Sequence, residues 1–109
     1  MKIYVAGKMR GLPCYNFEEF FYWARVLRKE GHEIVNPAEV DCVKMLDGWQ
    51  YSDDKYPEIL FADLGFIKEC DAVFMLDSWE QSMGARAEYA FAVALGKTVM
   101  LETERKEKV

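Results

Sequence analysis

The chain has 109 residues and a mass of 12.7 kDa, enough for one domain around one core but not for a second domain. Hydrophobic residues make up 51% and charged residues 30%, with only 7 glycines and 3 prolines, so disorder, low complexity and fibrous repeats are excluded. The net charge is −5 and the acids concentrate in residues 34–89, where 12 acids meet 4 bases; no sustained basic face is left to neutralise a duplex backbone, so a nucleic-acid duplex is not an expected partner.

The first predicted element is a strand over Lys2–Ala6, a β-rich run stopped by Gly7. A loop over Gly7–Tyr15 follows. Asn16 with Glu19 three residues on reads as a capping box, and Phe17, Phe20, Phe21, Ala24 and Leu27 recur at helical spacing until Gly31. His32–Val35 reads as a second strand, ended by Asn36-Pro37 because the residue before a proline leaves helical space. Residues 38–56 carry no clear period and read as a loop with room for one helical turn, holding Trp49, Tyr51 and Tyr56. Pro57 opens a helix running to about Glu69, in which Asp63 interrupts an apolar stripe of Ile59, Leu60, Leu64 and Ile67. Asp71–Leu76 is nearly continuous in apolar residues, as suits a parallel strand covered on both faces. After a loop over Asp77–Met83, an alanine-rich helix over Gly84–Leu95 ends at Gly96, a strand covers Thr98–Glu102, and Thr103–Val109 is a charged tail.

This β-α-β-α-β-α-β order predicts a single α/β domain over 1–109. Its form is a four-stranded parallel sheet with helices on both faces, of flavodoxin-like or Rossmann-like type, and analogy with flavodoxin-like sheets gives the strand order 2-1-3-4. Ligands of such sheets bind beyond the carboxyl ends of the strands where the order reverses, here between the first and third strands. The loops Gly7–Tyr15 and Asp77–Gly84 should therefore line one site.

Gly7-Lys8-Met9-Arg10-Gly11 has two glycines that let backbone N–H groups approach an anion, and two cations to pair with it; a plain strand-to-helix connection can look the same. Ser82-Met83-Gly84 opens a helix, where free N–H groups and the helix dipole favour an anion, although a simple N-cap accounts equally for Ser82. Arg86, on the first turn of that helix, pairs with the ligand or is a surface arginine. Glu88 and Asp63 both fall on helix faces that pack towards the sheet, where an unpaired carboxylate is costly. Two half-buried carboxylates at one cleft suit glycosidic chemistry, one ionised as nucleophile and one placed for proton transfer; structural ion pairs are the alternative. Tyr4, inside the first strand, can reach the cleft floor to orient a carboxylate, or is only core. Trp49 and Trp79 are candidates to stack on a planar base, or pack against their own loops.

Cys14, Cys42 and Cys70 form no CxxC pair and have only His32 to join them, so no metal site is expected, and the odd cysteine count fits a reducing cytoplasm. No run reaches transmembrane length, so no membrane partner is expected.

On these residues the chain resembles the nucleoside 2-deoxyribosyltransferase superfamily, especially its short phage and bacterial members of unassigned function. Tyr4-Val5-Ala6-Gly7-Lys8-Met9-Arg10-Gly11 looks like their Y-x-x-G-x-M-x-G opening, and is also similar to the corresponding loop of the deoxynucleoside 5′-monophosphate N-hydrolases. Asp63, Asp71, the run Ser82-Met83-Gly84-Ala85-Arg86-Ala87-Glu88 and Gly96-Lys97 follow the family's spacing, while residues 38–56 match least. The resemblance implies Glu88 at the nucleophile position, Asp63 at the acid or orienting position, Tyr4 in contact with the nucleophile, and Ser82 and Gly84 at phosphate-binding positions. It implies no cofactor and a homodimer, which the small residues Ala85, Ala87, Ala90, Ala92 and Ala94 would let pack closely. The expected function is cleavage of the N-glycosidic bond of a (deoxy)nucleoside 5′-monophosphate through a glycosyl-enzyme intermediate. Hydrolysis is favoured over base exchange, because the family's transferases carry an acid where Met83 stands before Gly84. A nucleotide-binding module without turnover is a third reading.

Overall fold

Alternation of side chains along the two central strands divides the apolar residues between the two faces of one sheet. In the computed structural model, which describes residues 1–106, β1 (Lys2–Ala6) sends Ile3 and Val5 to one face and Tyr4 and Ala6 to the other. β3 (Ala72–Met75) repeats the pattern, with Ala72 and Phe74 opposite to Val73 and Met75. β2 (Glu33–Val35) pairs with the free edge of β1 and β4 (Thr98–Leu101) with that of β3, giving an all-parallel sheet of order β2-β1-β3-β4. This is the architecture and strand order expected from the sequence.

The first face is covered by α1 (Phe17–Lys29) through Phe20, Trp23, Ala24 and Leu27, with the Trp23 ring edge-on to Phe74 at 5.0 Å between centroids. The second face is covered by α3 (Tyr56–Lys68) and α4 (Met83–Ala94) through Ile67, Ala85 and Ala92. Tyr4 belongs to this second face, so its hydroxyl emerges between β1 and the two helices that carry Asp63 and Glu88.

Three local expectations are corrected. Residues 38–46 are helical, not loop: α2 (Pro37–Leu46) begins where the side-chain oxygen of Asn36 accepts from the backbone N–H of Ala38 at 3.0 Å and Pro37 takes the first helical position. The Asn-Pro pair that ends β2 therefore also starts a helix. Its period is hard to see because it buries only Pro37, Ala38 and Asp41, while the apolar Val43 and Leu46 are exposed.

The capping box at Asn16 is absent. Cys14, Tyr15 and Asn16 all lie in the left-handed region at φ of 50°, 55° and 61°, and the Asn16 side chain donates to the carbonyl of Lys8 at 3.0 Å instead of capping α1. Such a run of non-glycine residues is unfavourable. That hydrogen bond offsets the cost, together with the Tyr15 ring lying 4.4 Å from that of Tyr51.

The last strand stops at Leu101, and α5 (Glu102–Lys106) replaces its final residue and the start of the expected tail. Arg105 pairs with Glu30 and lies over the Trp23 ring, so the charged stretch is tied to α1 rather than left in solvent. The remainder of the expected tail, 107–109, lies outside the described residues.

Asn36 is 3% exposed and also donates to the carbonyl of Phe20, so it ties α2 to α1. Asn36→Ala is expected to destabilise the fold by about 1–2 kcal/mol in urea unfolding, through a lost N-cap and a lost buried hydrogen bond to α1.

Candidate functional site

β1 and β3 end side by side, and the chain leaves β1 through Gly7 against Leu76. A Cβ on Gly7 would lie 2.9 Å from the Leu76 side chain, so this exit needs a glycine for packing. Beyond the strand ends lies a cleft of about 250 Å³, bounded by the loop after β1, the start of α4 and one side of α3. It is of small-metabolite size, at the place where ligands bind in such sheets.

The floor is built from three elements. Tyr4 of β1 is fully buried, and its hydroxyl donates to Oε2 of Glu88, which stands one helical turn into α4 and is 5% exposed. Asp63 reaches the same floor from the middle of α3. Burial pushes the Glu88 carboxyl up to about 8, aided by the negative charge of Asp63 and opposed by the Tyr4 hydrogen bond. Burial likewise pushes Asp63 up to about 7, aided by the charge of Asp41 and opposed by the nearby Tyr4 hydroxyl and the charge of Lys44. Burial and the two adjacent carboxylates hold the Tyr4 phenol well above its ordinary value. Tyr4 therefore acts as a fixed donor between two carboxyls that titrate near neutrality.

The mouth has the opposite polarity. The Ser82 hydroxyl caps α4 by accepting from the N–H of Ala85 at 3.1 Å, leaving the N–H groups of Met83 and Gly84 as first-turn donors without helical partners. Gly84 faces Tyr56, and a Cβ there would stand 2.9 Å from the Tyr56 hydroxyl. Arg10 lies over the Tyr56 ring at 4.1 Å from its centroid and 3.4 Å from the Asp53 carboxylate. That ion pair is on the surface, where pairs contribute little, so Arg10 can turn towards an anion held at the helix start.

Nine of the residues singled out in the sequence line this one cleft: Tyr4, Gly7, Lys8, Met9, Arg10, Asp63, Ser82, Gly84 and Glu88. Gly11 and Arg86 are not among its lining residues. Gly11 is exposed at φ 80° and makes the turn of its loop, and Arg86 is exposed on α4. Neither tryptophan reaches the cleft: Trp79 stacks on Tyr89 at 4.6 Å, and Trp49 packs edge-on to Tyr51 at 4.8 Å.

Sequence reasoning missed Tyr51, Tyr56 and Asp41. Tyr51 and Tyr56 line the cleft, and the Tyr51 hydroxyl donates to Oδ2 of Asp41 and lies 3.5 Å from the sulfur of Met9. Asp41 is 5% exposed; burial pushes its carboxyl up, while Tyr51 and Lys44 pull it down. Burial and the Asp41 carboxylate push the Tyr51 phenol up. The available signal was Asn36-Pro37 read as a helix start, which puts Ala38 and Asp41 three residues apart on one face.

Among the described residues, no group of three or more His, Cys, Asp or Glu side chains is placed to hold a metal ion, and no helix is long and apolar enough to cross a membrane. The chain belongs to the family described as a domain of unknown function (DUF4406), whose model matches residues 1–101. No curated protein matches it.

Proposed function

We propose, for this member of a family whose description carries no activity, that the cleft hydrolyses the N-glycosidic bond of a (deoxy)nucleoside 5′-monophosphate. The observation that carries this reading is the buried Tyr4–Glu88 hydrogen bond with Asp63 beside it, on the floor of a cleft whose mouth is a helix start flanked by Lys8 and Arg10. Gly84 and Glu88 are one turn apart, about 6 Å along the helix axis, which matches the span from a 5′-phosphate to C1′ of its sugar. A phosphate at the start of α4 would set C1′ against Glu88 and the base towards Asp63. The resemblance to the deoxyribosyltransferase superfamily supports the same roles.

In the first step the Glu88 carboxylate attacks C1′, the C1′–N bond breaks, and Asp63 gives its proton to the departing base. In the second, water attacks C1′ and releases Glu88, while Asp63 takes back a proton from the water. The first step needs one proton on the pair, held by Asp63 while Glu88 is ionised; the second begins with Glu88 esterified and Asp63 ionised. Burial raises both carboxyls, and the charge of Asp63 adds to the rise of Glu88, so near neutrality the pair readily holds one proton. The hydrogen bond from Tyr4 and the positive charge developing on the sugar favour ionised Glu88, so the form that reacts is the one that already has the proton on Asp63. The reading includes a cytoplasmic nucleotide pool as substrate source. It also includes a homodimer, for which the exposed Phe61 of α3 and Met83 and Val93 of α4 offer apolar surface.

The test is incubation with a panel of nucleosides and 5′-monophosphates, with chromatography of the free base. Monophosphates are expected to react with kcat/KM at least about tenfold above their nucleosides, a ratio that shrinks in Arg10→Ala, since one charge-assisted phosphate contact is worth about that factor. Formation of a new nucleoside from an added second base would replace hydrolysis by base exchange. Nucleotide binding without base release from any substrate would refute the enzyme and leave a binding module.

A further inference from the structure

The two ends of the cleft differ in chemistry. The start of α4, with Ser82 and Gly84, follows β3, whereas Pro37 at the start of α2 follows β2; β1 lies between those strands, so the two helix starts stand on opposite sides of the Tyr4 floor. A phosphate at the start of α4 with C1′ at Glu88 sends the base towards the β2 side. There the lining is Met9, Phe20, Pro37 and Tyr51, and the Tyr51 hydroxyl is the only oxygen or nitrogen in their side chains. That hydroxyl is fixed. It donates to Oδ2 of Asp41, which stands one helical turn after Pro37 and is 5% exposed, and its oxygen lies 3.5 Å from the sulfur of Met9, itself part of the lining. The rings of Tyr15 and Trp49 pack on that of Tyr51 at 4.4 and 4.8 Å between centroids. A phenol has one proton, and the carboxylate takes it in preference to the thioether. Towards the cleft the Tyr51 oxygen therefore presents lone pairs only.

We propose that Tyr51 is the specificity-determining residue of the base end: its oxygen accepts from an exocyclic amino group, so the cleft takes bases of the adenine and cytosine kind in preference to those with a carbonyl in the same place. This rests on the glycosidase reading of the cleft and adds its substrate class. An amino group there donates to the fixed oxygen, whereas a carbonyl sets two acceptors against each other after both have lost water. A free hydroxyl would rotate to suit either group; Tyr51 cannot, because Asp41 holds its proton.

Pairs of deoxynucleoside 5′-monophosphates that differ in this group and the adjoining ring proton test the assignment: adenine against hypoxanthine, and cytosine against uracil. Dissociation constants are measured by calorimetry on the full chain carrying Glu88→Gln, which blocks turnover. The amino member of each pair is expected to bind at least about tenfold more tightly, and Tyr51→Phe in the same background should bring the ratio close to one. Asp41→Asn should narrow the ratio by admitting the carbonyl member, since an amide can donate to the Tyr51 oxygen and release its proton towards the cleft. Deoxyribose 5-phosphate, which has no base, should bind all three proteins alike. Equal binding within the pairs, a preference that survives Tyr51→Phe, or an equal loss for deoxyribose 5-phosphate would overturn this inference alone. Failure of every monophosphate and of deoxyribose 5-phosphate to bind would instead overturn the reading of the cleft on which it rests.

Discussion

Glu88→Gln is expected to lose base release by at least about 10³-fold and to gain stability at alkaline pH. The loss follows because an amide cannot form the glycosyl ester, while the side chain keeps its shape and can still accept from Tyr4. The gain follows from the cost of ionising a carboxyl that is 5% exposed. In an unfolded chain this group ionises near about pH 4, but in the fold only near 8. The stability it contributes by staying protonated is full below about pH 4 and drains away as the pH rises towards and through 8. At pH 9 the wild-type protein carries a buried carboxylate and the variant does not, so urea unfolding should place Glu88→Gln on the order of 2–4 kcal/mol above wild type. At pH 4 the two should agree within about 0.5 kcal/mol. Equal stability at pH 9 would show that Glu88 is ionised at no cost in the fold, and retained turnover would remove it as nucleophile.

The second large effect is on the rate as a function of pH. The active form holds one proton between Asp63 and Glu88; more acid protonates the nucleophile, and more alkali removes the donor's proton. With Asp63 raised to about 7 and Glu88 to about 8, kcat/KM of wild type should peak between those values. It should fall tenfold per pH unit beyond either limb. Asp63→Asn should lose about 10²–10⁴-fold and replace the bell by a profile with one limb, governed by Glu88 alone. The comparison is made with an unactivated base and with a nitrophenyl-type leaving group, which departs without a proton. Restoration of the rate by the activated leaving group is the expected sign of a proton donor; an equal loss for both would assign Asp63 to positioning instead.

These effects depend on residues that differ in how plainly the sequence displays them. Glu88 and Asp63 are visible because each interrupts an apolar helical stripe, and a charge on a sheet-facing stripe requires an explanation. Tyr4 is visible only as an aromatic in a strand; that its hydroxyl lies between the two carboxyls depends on the pairing of β1 with β3 and on the placing of both helices over the same sheet face. Arg86 shows the opposite failure. It shares a helix turn with the start of α4, yet the rotation of that helix turns it to solvent, and sequence spacing from one end of a helix does not settle which way a side chain faces.

The parallel sheet itself was legible from local pattern: short apolar runs such as those ended by Gly7 and by Asn36-Pro37, separated by helical periods, allow few connections other than right-handed parallel crossovers, and analogy with flavodoxin-like sheets supplied the order 2-1-3-4. So was the location of the cleft, which follows from that order. Two features came from tertiary structure alone. Helix α2 shows no clear period because apolar Val43 and Leu46 lie on its exposed side, while the helix is held by its Asn36 cap and by Ala38 against the core rather than by a broad buried face. The enclosure of Asp41 behind Tyr51 is a contact between side chains ten residues apart, across a turn and a loop. Local periodicity records which face of an element is buried, and so it shows where carboxyls leave water. The proton each one holds is set by which other charges are buried near it, and only the packed chain brings Asp63 and Glu88 to one cleft and sets Asp41 behind the Tyr51 of its wall.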